Sequence, residues 1–391
     1  MIFKRHSLYL IFINIIGIAA SFIGLSIITK IFDSDNIGNF TTMVSILSLL
    51  AVISTGKLEL LLIKNKPLKL AAKANLTSIL FSLIFSILVI VVVTIYFNFK
   101  IAVISAILLI SINVYDLTIY SKMRKYGSIW TITARTIQNI LFSLLSIAGG
   151  LIYPSYVFLI IAYSISRLSI AFNSISRFLR LVKPSLIKQS LIDKSLIKYA
   201  AITSPSFLSS NAFMLFIPIL LNLLYGPKEV TYYVLQTKFL YATEILLGNV
   251  INKNLISNYR KGLNIKIIFN KYILILILSS IGIISAVTVL IYNYSSLIYA
   301  NEYTIFRESI FYMIPLALTN AIYSSLYIMW NLIGLEKTQA KWEVYKMTGL
   351  LLLTLAIWQF QLPYQEYILY IGLLNFIAVV QFLNSINIKL R

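Results

Sequence analysis

Five charged residues stand inside long apolar stretches of this chain: Asp116, Arg135, Arg167, Lys238 and Glu244. A charge at the centre of a bilayer costs about 2.5–3.5 kcal/mol even on insertion scales, so each is a functional candidate. Asp116 and Arg167 fall near the ends of their stretches, where a side chain can reach the interface. Arg135 lies seven residues into its stretch and Lys238 eight into its own. At a rise of 1.5 Å per residue both are roughly 10–12 Å below a helix start. Cations at that depth either line a water-filled, positively charged cavity or tie helices together as buried ion pairs. Glu244 is the acid nearest to hand, but it follows Lys238 by six residues, so the two diverge by ~120° around one helix. Glu244 and Asp116 are candidates for carrying a coupling proton or Na⁺. Asn211, with other Asn and Ser residues in apolar settings, can supply polar walls or interhelix hydrogen bonds.

Other chemistries are poorly represented. There is no cysteine, which removes disulfides, thiolate zinc sites, iron–sulfur clusters and thiol nucleophiles. The single histidine, His6, sits beside Lys4 and Arg5, so histidine triads and HExxH zinc sites are excluded. Asp33-Ser34-Asp35 forms a D-x-D of the kind that binds a metal or acts as a base in lipid-linked glycosyltransferases. The same residue types are ordinary turn and N-cap residues before a helix. No phosphate-binding loop or dinucleotide fingerprint is present. Neither a catalytic residue nor a cofactor or metal site is therefore expected.

The elements that would position these charges are membrane spans. The chain has 391 residues, 59% of them hydrophobic and 12% charged, with a mean hydropathy of +0.89. That is too little charge to cover a soluble protein of this size. A span needs ~20 mainly apolar residues. Six are expected at Leu8–Thr29, Ile37–Gly56, Leu76–Phe97, Ile101–Ser121, Ser128–Ile152 and Tyr156–Phe172. Six more follow at Tyr199–Leu224, Val230–Val250, Tyr272–Tyr292, Ile310–Ile333, Tyr345–Phe360 and Tyr367–Ile386. The first is too long for a signal-peptide core and is expected to be an uncleaved span. Pro205, Pro218 and Pro315 would kink their helices.

The net charge of +21 reads as topology rather than as nucleic-acid binding. With the N-terminus inside, 26 of the 33 Lys and Arg fall in cytoplasmic segments, and only Lys30, Lys100, Lys228 and Arg307 in outer loops. Both termini are then cytoplasmic. Lys57 and Glu59, at the inner end of the second span, are expected at the interface. The basic inner loops around residues 57–75, 177–198 and 251–271 suit amphipathic helices on anionic headgroups.

The chain divides at RFLRLVKPSLIKQSLIDKSLIK, residues 177–198, a basic cytoplasmic connector between residues 1–176 and residues 199–391. Slid by 192 residues, IITKIFDSDNIGNF falls on ILLNLLYGPKEVTY, and Gly56 on Gly248. The expected architecture is an all-α polytopic membrane protein of about twelve spans in two pseudo-symmetric six-helix lobes.

Four stretches carry a family resemblance: IIGIAASFIGLSIITKIFDSDNIGNFTTMVSILSLLAVISTG, ARTIQNILFSLLSIAGG, YAAITSPSFLSSNAFMLFIPILLNLLYGPKEVTYYVLQTKFL and NLIGLEKTQAKWEV. In these the chain resembles the bacterial polysaccharide exporters, especially O-antigen flippases of the Wzx type. They belong to the multidrug/oligosaccharidyl-lipid/polysaccharide (MOP) exporter superfamily, which also includes MATE antiporters and the lipid II flippase. The family's Tyr-Gly-x-Phe turn is here Ile37-Gly38-Asn39-Phe40.

The resemblance implies a transporter, not an enzyme, in the bacterial inner membrane, moving an oligosaccharide on polyprenyl diphosphate between leaflets by ion-coupled alternating access. It implies a cationic cavity for the diphosphate, to which Arg135 and Lys238 are assigned, with Asn211 among its polar residues. The implied partners are the lipid-linked oligosaccharide, membrane lipids and other polysaccharide-assembly proteins. A MATE-like drug or metabolite antiporter is the alternative within the fold. A membrane polymerase or glycosyltransferase is the alternative outside it, and such enzymes carry a large outer loop that is not found here.

Overall fold

A computed structural model describes residues 5–59, 68–96, 98–126, 128–181, 194–240, 265–298, 304–326, 329 and 335–390. Among them run twelve helices: α1 (Arg5–Ile31), α2 (Ser34–Thr55), α3 (Leu68–Tyr96), α4 (Phe99–Tyr126), α5 (Ser128–Ile152), α6 (Tyr156–Leu181), α7 (Lys194–Leu224), α8 (Pro227–Leu240), α9 (Ile265–Ile298), α10 (Thr304–Leu326), α11 (Glu336–Phe360) and α12 (Tyr364–Leu390). Seven of these, by length and composition, hold segments apolar enough to cross a membrane, from Ser34–Thr55 to Tyr364–Lys389. Three shorter apolar segments lie at Ile15–Ile31, Tyr156–Phe172 and Phe213–Leu224. The exposed faces agree. On α3 alone Ile84, Ile87, Leu88, Val91 and Ile95 are all more than half exposed, a stripe that a water-soluble surface does not carry. The chain is a multi-pass membrane protein.

Contacts divide it into two units, Met1–Ile219 and Leu220–Arg391, with the division inside α7. In the first unit α2 packs on α3 and α4, α3 on α4, α4 on α6, and α5 on α6. In the second, α8 packs on α9 and α10, α9 on α10, α10 on α12, and α11 on α12. Each of these five pairings of the second unit repeats one of the first, six helices on.

In the first unit the apolar core runs through Leu47 and Ala51 of α2, Val89 of α3, Leu108 and Ile112 of α4, and Ile160 of α6. Buried polar residues cross-link the same helices. Asn113 Nδ2 donates to Ser54 Oγ at 2.9 Å and to Ser82 Oγ at 2.7 Å, joining α4 to α2 and α3. Helix α1 approaches α5 closely because Gly24 has no side chain: a Cβ there would lie 2.0 Å from Ser143 Oγ. The α1–α2 turn is short. Asp33 takes an extended conformation before α2, and Asp35 sits in the helix's first turn, where a negative charge meets the dipole favourably. Asn36 Oδ1 accepts the Tyr156 backbone N–H at 2.8 Å, fixing the start of α6 to that of α2.

In the second unit the core joins Leu276 of α9, Ile322 and Leu326 of α10, and Val379, Phe382 and Ile386 of α12. Asn375 of α12 donates to Thr319 Oγ1 and Asn320 Oδ1 of α10, both at 2.8 Å. Gly372 lets the same two helices touch, since a Cβ there would stand 2.9 Å from the Leu316 backbone nitrogen.

Two expectations change. Residues 68–75 do not form a separate surface helix but open α3, and α6 continues to Leu181 through the start of the basic connector. An apolar helix extends into an adjoining basic segment because Lys and Arg are themselves good helix formers. Lys57 and Glu59, expected at the interface, are 4% and 1% exposed. The cause is local. Gly56 and Lys57 both take left-handed backbone angles, with φ of 60° and 50°. Together they turn the chain back into the unit at the end of α2. Leu58 then packs on Ala74 of α3 and Leu196 of α7.

Candidate functional site

A polar belt crosses the first unit where α4, α5 and α6 meet the end of α2. Lys57 Nζ lies 3.1 Å from Glu59 Oε1 and 3.3 Å from Asp116 Oδ2 on α4. Exposure separates the two acids: the Glu59 side chain is 2% exposed, that of Asp116 32%. Burial acts on Lys57 to push its pKa down, but the carboxylates of Glu59 and Asp116 outweigh it and the ammonium is held charged. Burial drives Glu59 the other way, above the usual carboxylate range, against the pull of Lys57 and with the help of Asp116. Next along α4, Tyr115 is packed under Arg167 of α6, whose guanidinium carbon is 4.9 Å from its ring centre and 4.5 Å from that of Tyr163. Arg167 also donates to the Tyr163 hydroxyl. Asp116 and Arg167, expected near the ends of their spans, each meet a partner from elsewhere in the chain. Both are engaged within the unit, by Lys57 and by two tyrosines.

Arg135 stands on α5 with an exposed side chain, close enough to Tyr115 and Tyr120 of α4 to act on both phenols electrostatically. It is thus in the same belt as Asp116. Lys238 is exposed on α8 of the second unit. Among the described residues neither cation forms an ion pair. Asn211 lies in α7, though its side chain is outside the described residues, as is the whole of Glu244. The two remaining candidates are thus placed only in part or not at all.

The second unit holds polar groups that the distribution of charge along the chain did not single out. Glu343 and Lys346, on α11, are 1% and 6% exposed and lie 3.0 Å apart. The Tyr323 hydroxyl of α10 donates to Glu343, and the Lys346 ammonium sits 4.6 Å over the Tyr323 ring. On α8, Gln236 is fully buried. Its Nε2 donates to the Phe306 carbonyl at 3.0 Å and Ser309 Oγ at 2.6 Å, and its Oε1 accepts from Tyr364 at 3.3 Å. The repeat could have found the first of these. Arg135 is the eighth residue of the 25-residue α5, and Glu343 the eighth of the 25-residue α11. In the same way Arg167 and Asn375 are each the twelfth residue of α6 and α12. The two units therefore carry different polar groups at matching places, a cation in the first where the second has an acid.

No family model matches the sequence, and no curated protein matches it. Solved structures do. The chain is similar to an inward-facing multidrug resistance MATE family transporter of the MOP superfamily, at 13% identity and a TM-score of 0.61, over 97% of this chain and 94% of that one. It is similar to the lipid II flippase MurJ in an inward closed conformation, at 13% identity and a TM-score of 0.74, over 96% and 86%. A MOP superfamily transporter from Pyrococcus furiosus Vc1 (DSM3638) matches at 12% identity and a TM-score of 0.53, over 97% and 95%. Over nearly its whole length, this chain has the fold of the MOP superfamily transporters.

Proposed function

We propose that the chain is a transporter that flips a polyprenyl-diphosphate-linked oligosaccharide, an O-antigen or related repeat unit, across the bacterial inner membrane. Transport runs from the cytoplasmic to the periplasmic leaflet by ion-coupled alternating access, with both termini cytoplasmic. The observation that carries this reading is the pair of exposed cations, Arg135 within the apolar segment Trp130–Ile152 and Lys238 on α8, without an ion pair among the described residues. An exposed cation in a membrane helix is costly unless something compensates it. A diphosphate does so with charge-assisted hydrogen bonds. The likeness to a lipid II flippase supports the same class of cargo. The polar side chains of Asn211 and its like would face the sugars, and Glu244 and Asp116 are proposed for ion coupling.

The test is deletion of the gene in its host, with surface polysaccharide and lipid-linked intermediates measured together. Complete repeat units accumulating on the carrier, with none at the surface, is the result expected. Single unpolymerised units at the surface would make the chain a polymerase. Normal polysaccharide with reduced drug tolerance would make it a MATE-like antiporter. In a complemented strain, Arg135→Gln and Lys238→Gln should each lower export about ten- to a hundredfold, the loss of one hydrogen bond to a charged group.

A further inference from the structure

We propose that Glu59 is a proton-binding site of the first unit, in which protonation releases Lys57 from Glu59 and shifts it toward Asp116. Its use in coupling rests on the transport reading above; the site itself does not.

Glu59 is buried to 1%, and neither of its carboxylate oxygens receives a hydrogen bond of good geometry. Among the described residues its close cation is Lys57, 3.1 Å away, and that ammonium is shared with Asp116 at 3.3 Å. Asp116 is better supplied. Arg167 acts on it from α6, and its side chain is 32% exposed. One shared lysine therefore holds two acids, of which only one has a second cation and access to solvent. A buried carboxylate that shares its counter-ion with a second acid gains by taking up a proton.

The surrounding groups make the exchange local. On α4 the titratable neighbours are Tyr115, Asp116 and Tyr120; α5 supplies Arg135, and α6 supplies Tyr163 and Arg167. Helices α3 and α7 pack against Leu58 through Ala74 and Leu196, beside which stand Lys73, Lys198 and Tyr199. Among the described residues, Lys57 and Asp116 are the groups that act on Glu59 by charge. The proton that binds adds to a Glu59 oxygen, no other bond forms or breaks, and the ammonium stays charged throughout. What changes is the tether. Lys57 sits in the left-handed turn that ends α2, so moving it from Glu59 to Asp116 tightens that turn onto α4.

The experiment is a pH titration of the purified full-length protein by difference infrared spectroscopy, which reads the C=O stretch of a protonated carboxyl and needs no substrate. The wild type should show a buried acid titrating above the free-carboxylate range, and Glu59→Gln should remove it. Asp116→Asn should lower its midpoint by about one pH unit, and Lys57→Met should raise it by at least as much. Asp116 is about a third exposed, so that variant keeps the test open if the others fail to fold. A band that survives Glu59→Gln, or a midpoint indifferent to Asp116→Asn, overturns the proposal and makes the cluster a plain strut. The same proteins in proteoliposomes then receive an imposed pH gradient. Transport that loses its response in Glu59→Gln supports coupling through this site. A titrating Glu59 in a protein whose transport ignores the gradient keeps the site and overturns proton coupling instead.

Discussion

Replacing Lys346 by methionine removes the cation from a carboxylate that has almost no contact with solvent. Glu343 is 1% exposed, and its Oε2 lies 3.0 Å from Lys346 Nζ. Methionine keeps most of the lysine's apolar stem, so the loss is one of charge rather than of packing. What remains for Glu343 is the hydrogen bond from Tyr323. Breaking a buried pair from one side costs about 3–5 kcal/mol, because the abandoned ion keeps its desolvation penalty without its partner. Thermal and denaturant unfolding of the protein in detergent should show a loss of that order for Lys346→Met. The double variant Glu343→Gln, Lys346→Met should recover most of it, since two neutral groups carry no such penalty. Tyr323→Phe should cost less, about 1.5–3 kcal/mol for a hydrogen bond to a charged group. A Lys346→Met protein within about 0.5 kcal/mol of wild type, or a double variant no more stable than the single, would refute the account.

Three further outcomes are expected. Gly372→Ala places a Cβ 2.9 Å from the Leu316 backbone nitrogen and 3.0 Å from Pro315 Cβ; backbone cannot yield as a side-chain tip can, so unfolding should show a loss of about 1–3 kcal/mol. Asn113→Ala removes the donor to Ser54 and Ser82 together. At roughly 0.6 kcal/mol for each interhelical hydrogen bond in a membrane, it should cost about 1 kcal/mol, and a double-mutant cycle with Ser54→Ala should show coupling. For Glu59 the sign follows from a pKa raised mainly by burial. Its ionisation is disfavoured in the fold, so stability should fall as pH rises through its titration, and Glu59→Gln should flatten that dependence when melting is followed against pH.

Much of the architecture was legible in one dimension. Runs of some twenty apolar residues have few alternatives in a bilayer, where every backbone polar group must be satisfied within its own helix. Some helices match the apolar runs closely, as at Ser128–Ile152 for α5, while others, such as α3, α6 and α11, extend into the flanking polar residues. Arg135 and Lys238 were legible too, because a charge deep in such a run is conspicuous and both side chains proved exposed. The repeat was visible only where spacing is kept. From α2 to α8 the helix starts differ by 193 residues, close to the 192 of the gapless slide, but from α5 to α11 they differ by 208. The longer second-unit segments between them hide the correspondence of Arg135 with Glu343.

What the sequence could not reveal is which charges face inward at the helix ends. A lysine just past an apolar run reads as interfacial, and at most such places water is its cheapest partner. Lys57 is buried instead because two left-handed residues reverse the chain, and because Glu59 and, 59 residues further on, Asp116 converge on its ammonium. Lys346 is buried because α11 turns that face toward Tyr323 of α10. The apolar runs of the sequence determined a multi-helix membrane protein and the depth of its charges. Only the packing of helices distant in sequence decided which of those charges are neutralised inside the fold and which stay exposed. A charge pair depends on distance in space, and no spacing along the chain encodes that.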